Sequence, residues 1–80
     1  MHRRKVKIIM KIQDVLNAAK AFIVVQLNGD LNSIKFQSAI LQNSSWKVGA
    51  RFQEKGKPLL TFVVLEVSDT SGEIKTFVTK

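Results

Sequence analysis

The chain has 80 residues, which is enough for one small domain. An apolar fraction of 45% and five phenylalanines exclude an intrinsically disordered chain, and the lack of cysteine excludes disulfides, thiolate zinc sites and a cysteine nucleophile. No apolar run reaches the length of a membrane-spanning helix, and a chain without cysteine fits the reducing cytoplasm, where we expect this protein to act.

The net charge of +7 is concentrated at the N-terminus. Residues 1–11 contain five basic side chains and no acidic one, whereas residues 12–80 contain eight basic and six acidic side chains. We therefore predict a basic N-terminal arm, residues 1–11, and a single α+β domain, residues 12–80. The arm is either a solubilising leader or a segment that contacts nucleic acid or another anionic surface. Translation from Met10 would remove most of it.

The first predicted element is an amphipathic helix. Apolar residues recur at intervals of three and four from Ile12 to Ile23. Asp14 falls in the first turn, where the helix dipole favours a negative charge. Gly29, which follows Asn28, is the expected stop signal.

After a polar connector over residues 28–33, the apolar period changes from 3.6 to 2, which indicates strands. Turn-forming residues at 43–45, 54–57 and 69–72 separate four such segments: 34–41, 46–53, 59–67 and 74–78. Short turns favour antiparallel neighbours. The predicted fold class is therefore α+β, with one N-terminal amphipathic helix packed on a four-stranded antiparallel β-meander. Alternation of Val6, Ile8 and Met10 leaves open an extra N-terminal edge strand.

One helix covers only one face of such a sheet, and the third strand is apolar on both of its sides. We expect these residues beneath the helix: Trp46, Val48, Ala50 and Phe52. The uncovered side of the third strand is one of two sets: Leu59, Val63, Leu65 and Val67, or Leu60, Phe62 and Val64. An exposed apolar face calls for a second layer, most simply a second copy in a homodimer. The predicted interface consists of Leu59, Val63, Leu65 and Val67.

Side chains suited to catalysis are scarce. The only histidine, His2, lies in the arm, and the six carboxylates fall mostly in turns or at the ends of elements. Asn28, Asp30 and Asn32 match only the start of a calcium-binding loop. We therefore predict no enzymatic activity and no catalytic, cofactor-binding or metal-binding residue.

The basic residues support a second hypothesis, in which the arm and the sheet face away from the helix bind nucleic acid. Basic side chains next to Phe62 or Phe77 would form a surface for a single strand. The candidate nucleic-acid-binding residues are Arg3, Arg4, Lys5, Lys7, Lys35, Lys47 and Arg51, with Lys75 as a further candidate.

The order of elements and the last hairpin resemble known families. The helix is followed by a strand that begins Trp46-Lys47-Val48, a long apolar strand, and the segment Asp69-Thr70-Ser71-Gly72-Glu73-Ile74. This pattern resembles the small PepSY-type and cystatin-like domains and, more weakly, the C-terminal part of the gas vesicle protein O family. The matching positions are Trp46, Asp69 and Gly72, while the paired arginine and tyrosine residues of the gas vesicle family are missing.

The resemblance implies an interaction or assembly module without catalytic activity. Together with the sheet pattern, it predicts a protein that acts through its sheet face or edge as a homodimer, with an unidentified protein partner. The alternative is a small basic nucleic-acid-binding protein.

Overall fold

The computed structural model describes residues 11–80. They form helix α1 (Ile12–Gln26), a short 3-10 helix (Leu31–Ser33) and four strands, which are β1 (Lys35–Gln42), β2 (Ser45–Gln53), β3 (Leu60–Ser68) and β4 (Ile74–Thr79). The strands form one antiparallel sheet in the order β1-β2-β3-β4. The predicted α+β fold, one helix followed by a four-stranded meander, is confirmed. Val6, Ile8 and Met10, and with them the extra edge strand, lie outside the described residues.

Helix α1 ends where the sequence predicts. The Ile23 carbonyl accepts hydrogen bonds from the amides of Leu27, at 3.1 Å, and Gly29, at 2.9 Å. Between them Asn28 adopts a φ of 57°, a left-handed conformation that asparagine tolerates better than most residues. The Asp30 amide then donates to the Gln53 carbonyl, at 2.8 Å, so the end of the helix is joined directly to the end of β2.

The hydrophobic core lies between α1 and one face of the sheet. The helix contributes Val15, Ala19 and Ile23, which are four residues apart and so lie on one side of it. The two central strands contribute Val48, Ala50, Phe52, Val63, Leu65 and Val67. Burying a large apolar side chain stabilises the fold by about 1.5–3 kcal/mol.

The predicted helix-facing set of β2 is confirmed. Val48, Ala50 and Phe52 are buried in the core, and the half-buried Trp46 packs against it. The indole Nε1 of Trp46 is itself buried and makes no hydrogen bond within the described residues.

A bulge interrupts the alternation of β1. Phe36 pairs with Ala50 and Ser38 with the neighbouring Gly49, so one residue, Gln37, is extra. Phe36 and Ala39 therefore both pack against the core. Regular alternation over residues 34–41 would put Phe36 and Ser38 on one face, and the bulge puts them on opposite faces instead.

Two tight turns close the outer hairpins. Between β1 and β2, Asn43 and Ser44 have φ values of 52° and 77°, the pattern of a two-residue turn that matches the twist of antiparallel strands. Between β3 and β4, the Ser68 carbonyl accepts a hydrogen bond from the Gly72 amide at 3.1 Å. The amide of the buried Asp69 donates to the Ser44 carbonyl, also at 3.1 Å, and so links the two turns.

Gly29 is the point of closest approach between the connector and the core. A Cβ atom at this position would lie 2.5 Å from Cγ2 of Ile23 and 2.9 Å from Cδ2 of Phe52, and both of these side chains are buried. We predict that Gly29→Ala lowers the free energy of unfolding by about 2–3 kcal/mol, because the core must move to admit the methyl group.

The matched control is Gly56→Ala. A Cβ at Gly56 meets nothing within 4 Å, so the cost there comes only from the φ of 78° and should be about 1 kcal/mol. Urea denaturation of both variants measures the difference. A loss at Gly29 no greater than the loss at Gly56 would contradict the close packing described for Gly29.

Candidate interaction surface on the open face of the sheet

The face of the sheet that points away from α1, called the open face here, carries an exposed apolar strip. Val63, Leu65 and Val67 point towards the helix, so the alternate residues of β3 point the other way. The side chains of Leu60, Phe62 and Val64 are 50%, 42% and 41% exposed. Val78 of β4 pairs with Val64 and is 58% exposed. The apolar strip is defined by these four residues: Leu60, Phe62, Val64 and Val78.

The side of β3 that faces the helix is the side that the sequence analysis assigned to the interface, so the predicted interface is wrong. Of the four residues named from the sequence, Val63, Leu65 and Val67 are 0–1% exposed beneath the helix, and only Leu59 is exposed. The two alternating sets are both apolar, so the strand itself does not show which set faces the helix. The pairing with β2 decides it, because Val48 lies opposite Leu65 and Ala50 opposite Val63.

A shallow depression lies beside the apolar strip, where β2 has a glycine instead of a side chain. Gly49 pairs with Ser38 on one side and with Val64 on the other. A Cβ at Gly49 would lie 2.8 Å from the Ser38 Oγ, so even a methyl group would collide there. The depression is lined by Gln37, Ser38, Gly49, Ala50, Phe62, Val63, Val64 and Lys80.

All charged residues of the four strands lie on the open face. The register places Lys35 opposite Arg51, Arg51 opposite Phe62, and Lys47 opposite Glu66. Lys75 also reaches this face, since its Nζ donates to the Ser45 Oγ at 2.7 Å. The strands therefore place four basic side chains and one acidic side chain around the apolar strip.

This face also accounts for the net charge of residues 11–80. The strands contribute +3, from Lys35, Lys47, Arg51, Lys75 and Glu66. The helix, the loops and the terminal Lys80 together contain five basic and five acidic residues, which balance. The remaining positive charge of the chain belongs to residues 1–10.

The structure brings together part of the predicted nucleic-acid-binding set. Lys35, Lys47 and Arg51 share the open face, and none of the three makes an ion pair within residues 11–80. The other four, Arg3, Arg4, Lys5 and Lys7, lie outside the described residues.

Of the two aromatic residues considered for stacking, only Phe62 is on the open face. Phe77 lies on the helix side, with its ring centroid 5.1 Å from that of Phe22. An irregularity in the pairing of β3 and β4, between the partners of Ile74 and Thr76, puts Phe77 on the same side as Ile74.

Within residues 11–80, no group of three or more histidine, cysteine, aspartate or glutamate side chains is arranged to hold a metal ion. No helix in this part of the chain is long and apolar enough to cross a membrane. The carboxylate of Glu66 in β3 accepts a hydrogen bond from the Thr76 hydroxyl of β4 at 3.4 Å.

A second depression, at the β2–β3 turn, is held by contacts that stabilise the turn itself. The Gln53 Nε2 donates to the Lys57 carbonyl at 2.8 Å, and Lys57 forms an ion pair with Glu54 at 3.5 Å. These contacts engage three of the polar residues that line it, Gln53, Glu54 and Lys57.

Comparison of the chain with protein-family models, with curated proteins and with solved structures found no match. The resemblance to PepSY-type and cystatin-like domains and to the gas vesicle protein O family therefore stays a prediction. Trp46, Asp69 and Gly72, which carry it, are a core-packing residue, a buried turn residue and a turn glycine with a φ of 76°.

Substitutions of two neighbouring valines in β3 test which side of the strand is exposed. We predict that Val63→Thr lowers the free energy of unfolding by about 1–3 kcal/mol, because it places a hydroxyl group in the core. The same substitution at Val64, which is 41% exposed where Val63 is 1% exposed, should cost less than about 0.5 kcal/mol. Thermal and urea denaturation measure both. Equal losses at the two positions would show that both sides of β3 are buried in the isolated chain.

Proposed function

We propose that this chain is a noncatalytic protein-interaction or assembly module, active in the cytoplasm, that works through the open face of its sheet. The observation that supports the proposal is the apolar strip: four large apolar residues, 41–58% exposed, lie together on one face of the sheet. Contiguous exposed apolar surface of this kind is typical of a binding site. A covering partner would remove it from water.

The face is a better binding surface than the β1 edge. An edge strand accepts an added strand most readily when it is regular and uncharged, because pairing uses an uninterrupted row of backbone groups. β1 contains the bulge at Gln37 and begins with Lys35. Both features disfavour the addition of a strand at this edge.

A second copy of the chain is one candidate partner. Two open faces packed together would bury both apolar strips around a two-fold axis. They would also bring together two strand surfaces that each carry a charge of +3. Since salt screens such repulsion, a face-to-face homodimer should become tighter as the salt concentration rises.

If a second copy covers the open face, the mass measured by light scattering should rise with protein concentration, and it should rise further in about 1 M NaCl than in about 0.1 M NaCl. Val64→Lys should keep the chain monomeric, because it puts a charge in the apolar strip. The matched control is Val25→Lys, at an exposed position on the helix. A monomer at every protein and salt concentration would rule out the homodimer.

Nucleic acid is the second candidate, and one row of residues favours it. Lys35, Arg51 and Phe62 lie side by side across three strands, and the Lys80 amide donates to the Phe62 carbonyl at 2.8 Å. An exposed aromatic ring between cations is able to stack on a base while the cations bind phosphates.

If this alternative holds, fluorescence anisotropy should detect binding of single-stranded DNA or RNA at low salt, with an affinity that falls steeply as salt rises. The double variant Lys47→Gln/Arg51→Gln should weaken binding about tenfold. Lys20→Gln/Lys55→Gln makes the same change in net charge away from the open face, on the helix and in the β2–β3 turn, and should have a smaller effect. No binding at low salt would eliminate nucleic acid as the ligand.

A further inference from the structure

We infer that the open face binds a protein segment that has one apolar stripe with acidic residues on both sides of it, in the form of an amphipathic helix. The inference rests on the proposed function, and it specifies the chemistry of the partner. Three observations support it. Basic residues flank the apolar strip, the strip lies on a central strand, and the face is poorly suited to a second copy, to the basic arm or to nucleic acid.

Basic residues flank the apolar strip on both sides. On the β2 side, Arg51 is directly opposite Phe62. On the β4 side, Lys80 is hydrogen-bonded through its amide to the Phe62 carbonyl, and it lines the depression beside Phe62 and Val64. Further from the strip, Lys35 extends the positive row across β1. A partner with carboxylates on both sides of its apolar residues would therefore meet an opposite charge on each flank.

The form of the surface favours a helix over an added strand. β3 is a central strand whose backbone groups pair with β2 and β4, so a partner reaches it only through side chains. On the opposite face this is how α1 covers the same strand. From Leu60 to Val64 the strip spans five residues, which is about 14 Å and matches a helix of about ten residues.

Two occupants from this chain suit the face poorly, because both are positively charged. A second copy would present the same +3 surface, and the arm, residues 1–11, carries five basic residues and no acidic one. Like charges placed against each other oppose association. The charge of the face instead complements an acidic partner.

The side chains of the strip favour protein over nucleic acid. Bases bind to open sheets mainly by stacking on aromatic rings. Phe62 is the one aromatic residue on the open face among residues 11–80, and the rest of the strip, Leu60, Val64 and Val78, is aliphatic. Aliphatic side chains pack well against the apolar stripe of a helix.

The test uses the full chain and three labelled synthetic peptides. Each is an amphipathic helix of about 18 residues with leucines along one stripe, and the residues beside the stripe are all glutamate, all glutamine or all lysine. Fluorescence anisotropy gives the affinity of each. A polyglutamate peptide without leucines and a single-stranded oligonucleotide serve as additional ligands, and light scattering follows self-association in the same samples.

We expect the glutamate peptide to bind about tenfold more tightly than the glutamine peptide at about 50 mM salt, and the difference to shrink by about 500 mM salt. The lysine peptide and polyglutamate should bind more weakly than either. Lys47→Gln/Arg51→Gln should reduce the preference for glutamate, whereas Lys20→Gln/Lys55→Gln should not. Phe62→Ser should weaken the binding of the glutamate and glutamine peptides. Val64→Thr is a second substitution in the apolar strip, for use should Phe62→Ser fold poorly.

Each other outcome overturns the inference in a distinguishable way. Equal affinities for the glutamate and glutamine peptides would overturn the acidic partner and leave the proposed function in place. Self-association that excludes all peptides would identify a second copy as the occupant. Binding of the oligonucleotide but of no peptide would establish the nucleic-acid alternative. If no ligand binds and the chain stays monomeric, both the inference and the proposed function are wrong.

Discussion

The structure depends on one geometric constraint, which is that a single helix covers only one face of a four-stranded sheet. The 15 residues of α1 supply three fully buried side chains, and half-buried neighbours such as Leu16 and Phe22 help them to cover the inner side of β2 and β3. No second element among residues 11–80 lies on the outer side. The inner face is therefore packed like a small protein core, whereas the outer face leaves large apolar side chains in water. The proposed binding surface follows from that asymmetry.

The register of the sheet determines which residues share the outer face. Because side chains alternate along each strand, every charged strand residue is kept out of the core and placed on the same face as the apolar strip. At Gly49 the absence of a side chain leaves a depression, and Ser38 occupies the space beside it. Charge and apolar area are thus combined on one surface, while the charges of the helix and loops balance.

The helix, the four strands and their order could be predicted from the sequence, because each depends on a local period and on turn residues such as Asn28 and Asn43. The composition of the open face could be predicted only in part. Lys35, Lys47 and Arg51 were placed correctly, but the two sides of β3 are equally apolar, and only the pairing with β2 distinguishes them. The face on which Phe77 lies depends on an irregularity in the β3–β4 pairing, and the residue pattern does not predict that irregularity.

The position of the single tryptophan has a practical consequence. Trp46 packs against the core on the helix side of β2, with its indole Nε1 buried, while its neighbours Ser45 and Lys47 point to the other side of the sheet. The fluorescence emission of Trp46 therefore reports whether the helix remains packed on the sheet. A ligand on the opposite surface is separated from the indole by the thickness of the sheet, so the same fluorophore distinguishes loss of the fold from occupation of the surface.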